Sequence, residues 1–321
     1  MRRNLLKAAL GLAAWPLVSH PALALSPDRP VRIIVPFAPG GGTDLISRTL
    51  GAAMAQALGQ PVIIENKPGG GTVIGTDLVA KSAPDGHTLV MATFAHAINP
   101  SLLPKLPFDT ERAFAPVSLI GRGPNVLLVR TDSPWRSVAD VLAAARAKPG
   151  ALTYASQGNG TSAHLAGEMF CNLARVNMQH IPYRGAGPAL TDLMGGQVDM
   201  MFATAAAASA QIPGGKLRAL AVTSPDPAPA FKGVPPVAQS VPDYAVESWY
   251  GLFAPAGTPA ASIERLLQAV RRSVRAPEFV QKIEAEGLNV VASDPAELAR
   301  YVKAEEQRWR KIVRENNIKP D

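Results

Sequence analysis

The sequence predicts an α/β protein made of two similar domains. Three observations carry that expectation: short β-branched runs alternate with helical patterns, the alternation stops at Gly121-Arg-Gly-Pro124 and starts again, and each stretch of it spans roughly 100 residues. Alternation of this kind implies parallel strands with helices on both faces of a sheet. With 47% hydrophobic residues the chain can bury a core that offsets its conformational entropy, which excludes a disordered protein.

In the first stretch, Val31-Arg-Ile-Ile-Val35 reads as a strand, and turn residues follow from Pro39 to Gly42. Residues 43–58 then place Ile46, Leu50, Met54, Ala57 and Leu58 at helical spacing, and Gly59 and Pro61 stop the helix. A strand at 62–65, the loop Pro68-Gly-Gly-Gly71, a helix at 72–82, a turn at Pro84-Asp-Gly86 and a strand at 88–92 complete it.

The second stretch predicts a strand at 126–130 and a helix at 137–147, then a strand at 152–156 and a helix at 162–176. A strand at 179–182, a helix at 188–194 and strands at 198–203 and 217–223 follow. Residues 224–242 are proline-rich and read as extended connecting chain. A further strand at 246–254 and amphipathic helices at 259–274, 277–286 and 295–315 close the sequence. The expected division is 25–122 with 226–321 as domain 1, and 123–225 as domain 2.

Residues 1–24 lie outside that division. Arg2, Arg3 and Lys7 precede an apolar run from Ala8 to Val18, and Ala22-Leu23-Ala24 supplies small residues for cleavage, so the segment reads as a secretory signal. The run is shorter than the ~20 residues that cross a bilayer, and Pro16 interrupts it. Arg2-Arg3-Asn4-Leu5-Leu6-Lys7 also fits a twin-arginine signal, so Sec and twin-arginine export both stay open. Cleavage near Ala24 leaves 297 of the 321 residues, and loss of the three basic side chains lowers the net charge from +7 to +4. A charge so small and so interleaved with acids argues against a nucleic-acid partner. Cys171 has no cysteine to pair with, which excludes a disulfide framework and a cysteine-rich zinc site.

The glycine-rich loops hold the chemistry. Pro36-Phe-Ala-Pro-Gly-Gly-Gly-Thr-Asp44 connects a strand to a helix whose first-turn N–H groups and dipole suit an anion. Asn66-Lys-Pro-Gly-Gly-Gly-Thr-Val-Ile-Gly75, Ser156-Gln-Gly-Asn-Gly-Thr-Ser-Ala-His164 and Tyr183-Arg-Gly-Ala-Gly187 repeat the arrangement. All four follow strands, where ligands of open α/β sheets bind, so two loops per domain can meet in one cleft. Leu45 occupies the third-glycine position of a dinucleotide fingerprint, and no Gly-Lys-Ser/Thr occurs, so no nucleotide cofactor is expected.

Catalytic groupings are thin. Ser156 has Tyr154 where a nucleophile elbow needs glycine, and His87, His96, His164 and His180 are too scattered for a metal motif. His87, in a Pro-Asp-Gly-His turn, is expected to be exposed. His164 either caps its helix or lines the cleft. Asp44 and Asp199 either act as bases or accept structural hydrogen bonds. Arg184 either meets a second ligand carboxylate or pairs across the domains with an acid such as Asp199.

These segments together resemble the Bug family of periplasmic solute-binding proteins of tripartite tricarboxylate transporters. The resemblance runs through Pro30-Val-Arg-Ile-Ile-Val-Pro-Phe-Ala-Pro-Gly-Gly-Gly-Thr-Asp44, Glu65-Asn-Lys-Pro-Gly69 and Ala83-Pro-Asp-Gly-His-Thr-Leu89. It continues in Thr153-Tyr-Ala-Ser-Gln-Gly-Asn-Gly160, His164-Leu-Ala-Gly-Glu168, Pro182-Tyr-Arg-Gly185 and Trp249-Tyr-Gly-Leu-Phe-Ala-Pro255. It implies a two-domain periplasmic-binding-protein fold, a type II-like Venus flytrap with its ligand cleft between the domains.

By the same resemblance the ligand is a small organic carboxylate held by Phe37, Pro39, Gly40, Gly41, Thr43, Asp44 and Thr72 of domain 1. Ser156, Gly158, His164, Arg184, Gly185 and Asp199 face them from domain 2. Where the family often has Pro-Gly-Ala-Gly-Gly, this chain has Pro68-Gly-Gly-Gly-Thr72, which adds a hydroxyl and a β-branch to that wall. The resemblance further implies a monomeric, periplasmic, non-enzymatic receptor that hands its ligand to integral-membrane permease subunits. A sensor docking on a receptor kinase, or a periplasmic enzyme, are the alternatives.

Overall fold

In the computed structural model, which describes residues 25–315 with 318 and 319, chain order follows the expected alternation. The expected export signal lies outside the described residues. Strand β1 (Val31–Val35) leads to α1 (Gly42–Leu58), β2 (Val62–Asn66) to α2 (Val73–Ala80), and β3 (Thr88–Thr93) to α3 (Phe94–Leu102). Strand β4 (Phe114–Arg130) is followed by α4 (Val138–Ala147), β5 (Thr153–Ser156), α5 (Ser162–Ala174), β6 (Gln179–Pro182), α6 (Ala186–Gly195), β7 (Met200–Thr204), α7 (Ala205–Ser209) and β8 (Leu217–Val222). The chain ends in β9 (Glu247–Pro255), α8 (Ala260–Ser273), α9 (Pro277–Ala285), β10 (Asn289–Val290) and α10 (Pro295–Glu315).

The strands form two wings that share β4. In the first, β2, β1 and β3 run parallel, and β9 joins antiparallel between β3 and β4. In the second, β5 pairs parallel with β6 and β7, while β7 and β8 run antiparallel to the far half of β4. Thr223 knits the crossing, donating its N–H to the Asn125 carbonyl (2.9 Å) and its hydroxyl to the Val246 carbonyl (2.6 Å) while Oγ1 accepts from Asn125 N (2.7 Å).

The sequence places only 126–130 of β4 in a strand, because Gly121, Gly123 and Pro124 read as a break. The strand runs through them because its neighbours press close: a Cβ at Gly121 would lie 2.8 Å from the Asn289 carbonyl oxygen, and at Gly123 2.6 Å from that of Gly287. Glycine in a strand interior marks such close approach. Helices α3 and α7 are also absent from the sequence reading. Helix α3 contains Pro100, and α7 consists of the uniformly buried Ala205 to Ala208 followed by Ser209, which have no apolar period to detect.

Three apolar clusters form the core. One packs β1 and β3 on α1 and α8 through Ile33, Val35, Leu50, Leu89 and Leu266, and another packs α6 and α7 on the second wing. The largest runs through both wings, from Phe94, Ile98 and Trp309 past Trp249 and Tyr244 to Tyr154, Phe170 and Phe202. Fully buried Trp309 of α10 meets Phe94 edge-on at 4.8 Å between centroids. Among the described residues no helix is long and apolar enough to cross a membrane.

His87 differs from expectation: it is buried, not exposed. Its Nε2 accepts from Ser26 N at 2.9 Å and its Nδ1 lies 3.1 Å from the Pro30 carbonyl, so the ring clamps the segment entering β1. His96 is also buried, stacked on Phe253 at 5.0 Å and edge-on to Phe114 at 5.1 Å. Burial pulls its pKa down to about 4, against a smaller upward pull from the Thr110 backbone, and burial pulls His180 to about 4 as well.

Both imidazoles therefore stay neutral in the fold at pH values where the unfolded chain protonates them, near 6.5. Their contribution is complete above that value and is lost as pH falls towards 4. Urea titrations should show stability falling across that window, with proton uptake on unfolding approaching roughly two per molecule near pH 5. His96→Phe should remove about one of these protons, whereas a midpoint independent of pH would contradict the buried neutral rings.

Candidate functional site

The four strand-end loops meet. A cavity of about 190 Å³ is lined by Pro36 and Phe37 after β1, by Pro68 to Thr72 and Ile74 after β2, by Gln157, Gly158 and Thr161 after β5, and by Tyr183 and Arg184 after β6. Phe37 with Pro36, Pro68 and Ile74 gives it an apolar wall, while Arg184 alone among its lining residues carries a permanent charge.

Helices α1, α2, α5 and α6 all begin at these loops, so four positive dipole ends point towards one region. The N-cap residues Gly41, Thr72 and Gly185 make no side-chain cap, leaving first-turn N–H groups to other partners. Only Thr161 caps its helix, accepting from His164 N at 3.4 Å. Thr72 holds a left-handed φ of 79°, a strained backbone for a β-branched residue. The hydroxyl of Thr72 is reached by Asn99 Nδ2 at 3.3 Å, and the same amide donates to the Gly71 carbonyl at 2.9 Å.

The two wings touch across the cleft through glycines. Ala38 N donates to the Arg184 carbonyl at 3.0 Å. A Cβ at Gly185 would lie 3.1 Å from Ala38 N, one at Gly41 3.2 Å from Ala186 Cβ, and one at Gly42 2.7 Å from Thr204 Oγ1. Likewise a Cβ at Gly71 would meet the Asn159 carbonyl at 3.0 Å, and one at Gly160 would meet Asn99 Oδ1 at 2.5 Å. The structure is therefore closed, with no room for side chains at these contact points.

The expected ligand residues separate into three groups. Phe37, Thr72, Gly158 and Arg184 line the cavity. Pro39, Gly40, Gly41, Thr43 and Gly185 belong to the closure contact or to the turn that starts α1, rather than to the cavity wall. Asp44, Ser156 and His164 face the loop backbone. Asp44 accepts from Gly40 N (3.1 Å), Arg48 Nε (3.0 Å) and Asn66 Nδ2 (3.0 Å). Burial pushes its pKa up, but the hydrogen bonds from Arg48, Gly40 and Asn66 and the Arg48 charge together outweigh it and hold the carboxyl below its ordinary range. It is thus an ionised scaffold and a poor base. Ser156 Oγ accepts from Gly158 N at 3.1 Å, and His164 Nδ1 accepts from Gly160 N at 3.2 Å.

Asp199 is a correction. It precedes β7, which runs parallel to β5, and its carboxylate accepts from Thr153 N (2.8 Å) and Thr153 Oγ1 (2.9 Å) at the start of β5. The cleft lies beyond Ser156, three residues or roughly 10 Å further along that strand. Asp199 thus neither lines the cleft nor forms an ion pair with Arg184.

Sequence reasoning missed Gln157, Ile74 and Asn99. Gln157 is buried in the cavity wall with Oε1 unpartnered, an acceptor that suits a ligand hydroxyl and not a carboxylate. Gln157→Leu should weaken binding of a hydroxyl-bearing diacid such as malate by roughly 3- to 10-fold, the value of one neutral hydrogen bond, while leaving the melting temperature of the free protein nearly unchanged. Equal affinity in a calorimetric titration would show that the amide does not touch ligand.

The sequence profile described as "Tripartite tricarboxylate transporter family receptor" matches residues 46–318. The chain belongs to this family. BugT of Bordetella pertussis is 36% identical over 296 residues, covering 91% of each chain. Among solved structures, Rpa4515 of R. palustris with adipate superposes with a TM-score of 0.89 at 33% identity, covering 92% of this chain and 99% of that one. MatC of Rhodopseudomonas palustris with bound malate gives a TM-score of 0.86 at 33% identity, covering 90% and 100%. As a tripartite tricarboxylate transporter receptor, the chain has the two-domain periplasmic-binding-protein fold. It is a solute-binding receptor of an extracytoplasmic family whose structural neighbours are binding proteins.

Proposed function

We propose that this receptor captures a dicarboxylate of four to six carbons in the cavity between its wings and delivers it to tripartite tricarboxylate permease subunits. One observation carries the reading: all four strand-end loops, two from each wing, line a single cavity. Its volume of about 190 Å³ is small for a ligand pocket and suits a short diacid. Bound adipate and malate in two relatives at 33% identity support the same class.

In this reading backbone N–H groups at the loops and helix starts hold one carboxylate, and Arg184 stands where a second would lie. Charge-assisted hydrogen bonds from neutral donors are strong enough for this without a buried lysine. The hinge lies where β4 and the chain after β8 cross between 25–122 with 226–321 and 123–225. The receptor acts as a monomer in the periplasm, after cleavage near Ala24, and needs no cofactor.

Among the described residues, Ser156 Oγ and His180 Nε2, 2.6 Å apart, resemble a nucleophile and base. Ser156 is fully buried and its oxygen already accepts from Gly158 N, which favours binding over catalysis. The test is a thermal-shift panel of malate, succinate, glutarate and adipate. At 100 times Kd a true ligand adds about 2.7 kcal/mol of stability, whereas a panel without any shift would refute the reading.

A further inference from the structure

We infer that His180 and His164, stacked beneath the 156–161 loop, are positioning residues that fix the Gly158 and Gly160 amides, building on the reading of that loop as part of the ligand cavity. The rings of His164 and His180 lie 4.2 Å apart between centroids, inclined by 22°, and Tyr154 stacks on the other face of His180 at 4.9 Å. Neither histidine belongs to the cavity wall. Each instead reaches the backbone of the loop that does.

Gly160 N donates to His164 Nδ1 at 3.2 Å, so that nitrogen carries no proton. Gly158 N donates to Ser156 Oγ, and the hydroxyl proton has two acceptors in reach, His180 Nε2 at 2.6 Å and the Gly158 carbonyl at 3.2 Å. The shorter contact assigns it to His180. The Gly158 carbonyl is served separately by Thr161 Oγ1 at 2.7 Å. Gly158 and Gly160 sit at φ of 131° and 75°, a backbone that turns these amides but does not hold them, so the imidazoles supply what the glycines lack.

The arrangement works only with neutral rings. A second proton on His164 would meet the Gly160 N–H, and one on His180 would reverse the Ser156 hydroxyl. Tyr154 of β5 stacks on His180, and Glu168 of α5 reaches the stack through the Tyr154 hydroxyl. Tyr154 Oη donates to Glu168 Oε1 at 2.5 Å, and burial with the Glu168 charge pushes the Cys171 thiol up to about 12, so it stays protonated. The downward pull of burial on His180 agrees with a neutral ring over the physiological range.

His180→Phe keeps the stack and deletes the hydrogen bond, and His180→Gln restores an amide at the same reach. Ser156→Ala breaks the same contact from the other side, should His180→Phe fail to fold. Hydrogen exchange of the Gly158 and Gly160 amides is followed by NMR in each full-length variant, with titrations of malate and adipate alongside. His180→Phe and Ser156→Ala are expected to speed Gly158 exchange by roughly tenfold and to weaken diacid binding by a similar factor, with recovery in His180→Gln. Wild-type protection should hold to about pH 5 and fall in more acid solution, a limb that His180→Phe lacks. Unchanged exchange in both His180→Phe and Ser156→Ala overturns the inference even if diacids bind. Altered exchange in a protein that binds no diacid leaves the positioning role standing and removes the proposed ligand.

Discussion

Gly42→Val is expected to weaken dicarboxylate binding by about 100-fold while changing the stability of the free protein little. Gly42 opens α1 in the first wing and rests on the second, and a Cβ there would lie 2.7 Å from Thr204 Oγ1, 3.1 Å from Ala206 Cβ and 3.2 Å from Ala207 N. Backbone and short side chains at these distances cannot move aside as a flexible tip would, so the clash acts on the closed arrangement. The open arrangement carries no such contact if the wings separate. A variant that makes closure ~3 kcal/mol less favourable reduces the closed fraction, and apparent affinity with it, by about two orders of magnitude. Calorimetric titration reads the affinity, and an unaltered Kd would mean that the ligand does not require the wings to meet.

Trp309→Ala should act in the opposite way. The indole is fully buried on α10, edge-on to Phe94 of α3, with Trp249 of β9 in the same cluster. Removing so large a side chain leaves a cavity that a close-packed interior cannot fill, at a cost of about 3–5 kcal/mol. Chemical denaturation should show that loss. Protein that remains folded should bind its diacid as the wild type does, because no residue of α10 lines the cavity. A stability loss below ~1 kcal/mol would show that α10 is a peripheral element.

How much of this was legible in the sequence depends on the range over which each feature is specified. The loops were readable because strand, glycines and helix start are written within a dozen residues, as in Val31 to Ile46. The closing helices were readable from their apolar stripe. The continuous β4 was not, since Gly121 and Gly123 look like a break until residues 287 to 289 are seen pressing on them. Helix α7 has four buried alanines and therefore no periodicity.

The site divides in the same way. Which loops meet followed from their position after strands, a rule of topology. What each side chain touches did not, because the partners are remote: Asn99 meets Gly160, and Ser156 meets His180. Asp199 was misplaced because it precedes its strand, at the end of the sheet opposite the cleft. Gln157 carried no motif, and only its unpartnered, buried oxygen in the cavity wall singles it out.

The most direct measurement is a crystal structure of the receptor grown with the diacid that shifts its melting temperature most. The expected result is density for one diacid between Phe37, Thr72, Gln157 and Arg184, with a carboxylate within hydrogen-bond distance of loop amides from both wings. Density instead in the larger groove beside Pro124, Asp226 and Glu247, at the crossing between the wings, would contradict the assignment of the strand-end loops as the ligand site.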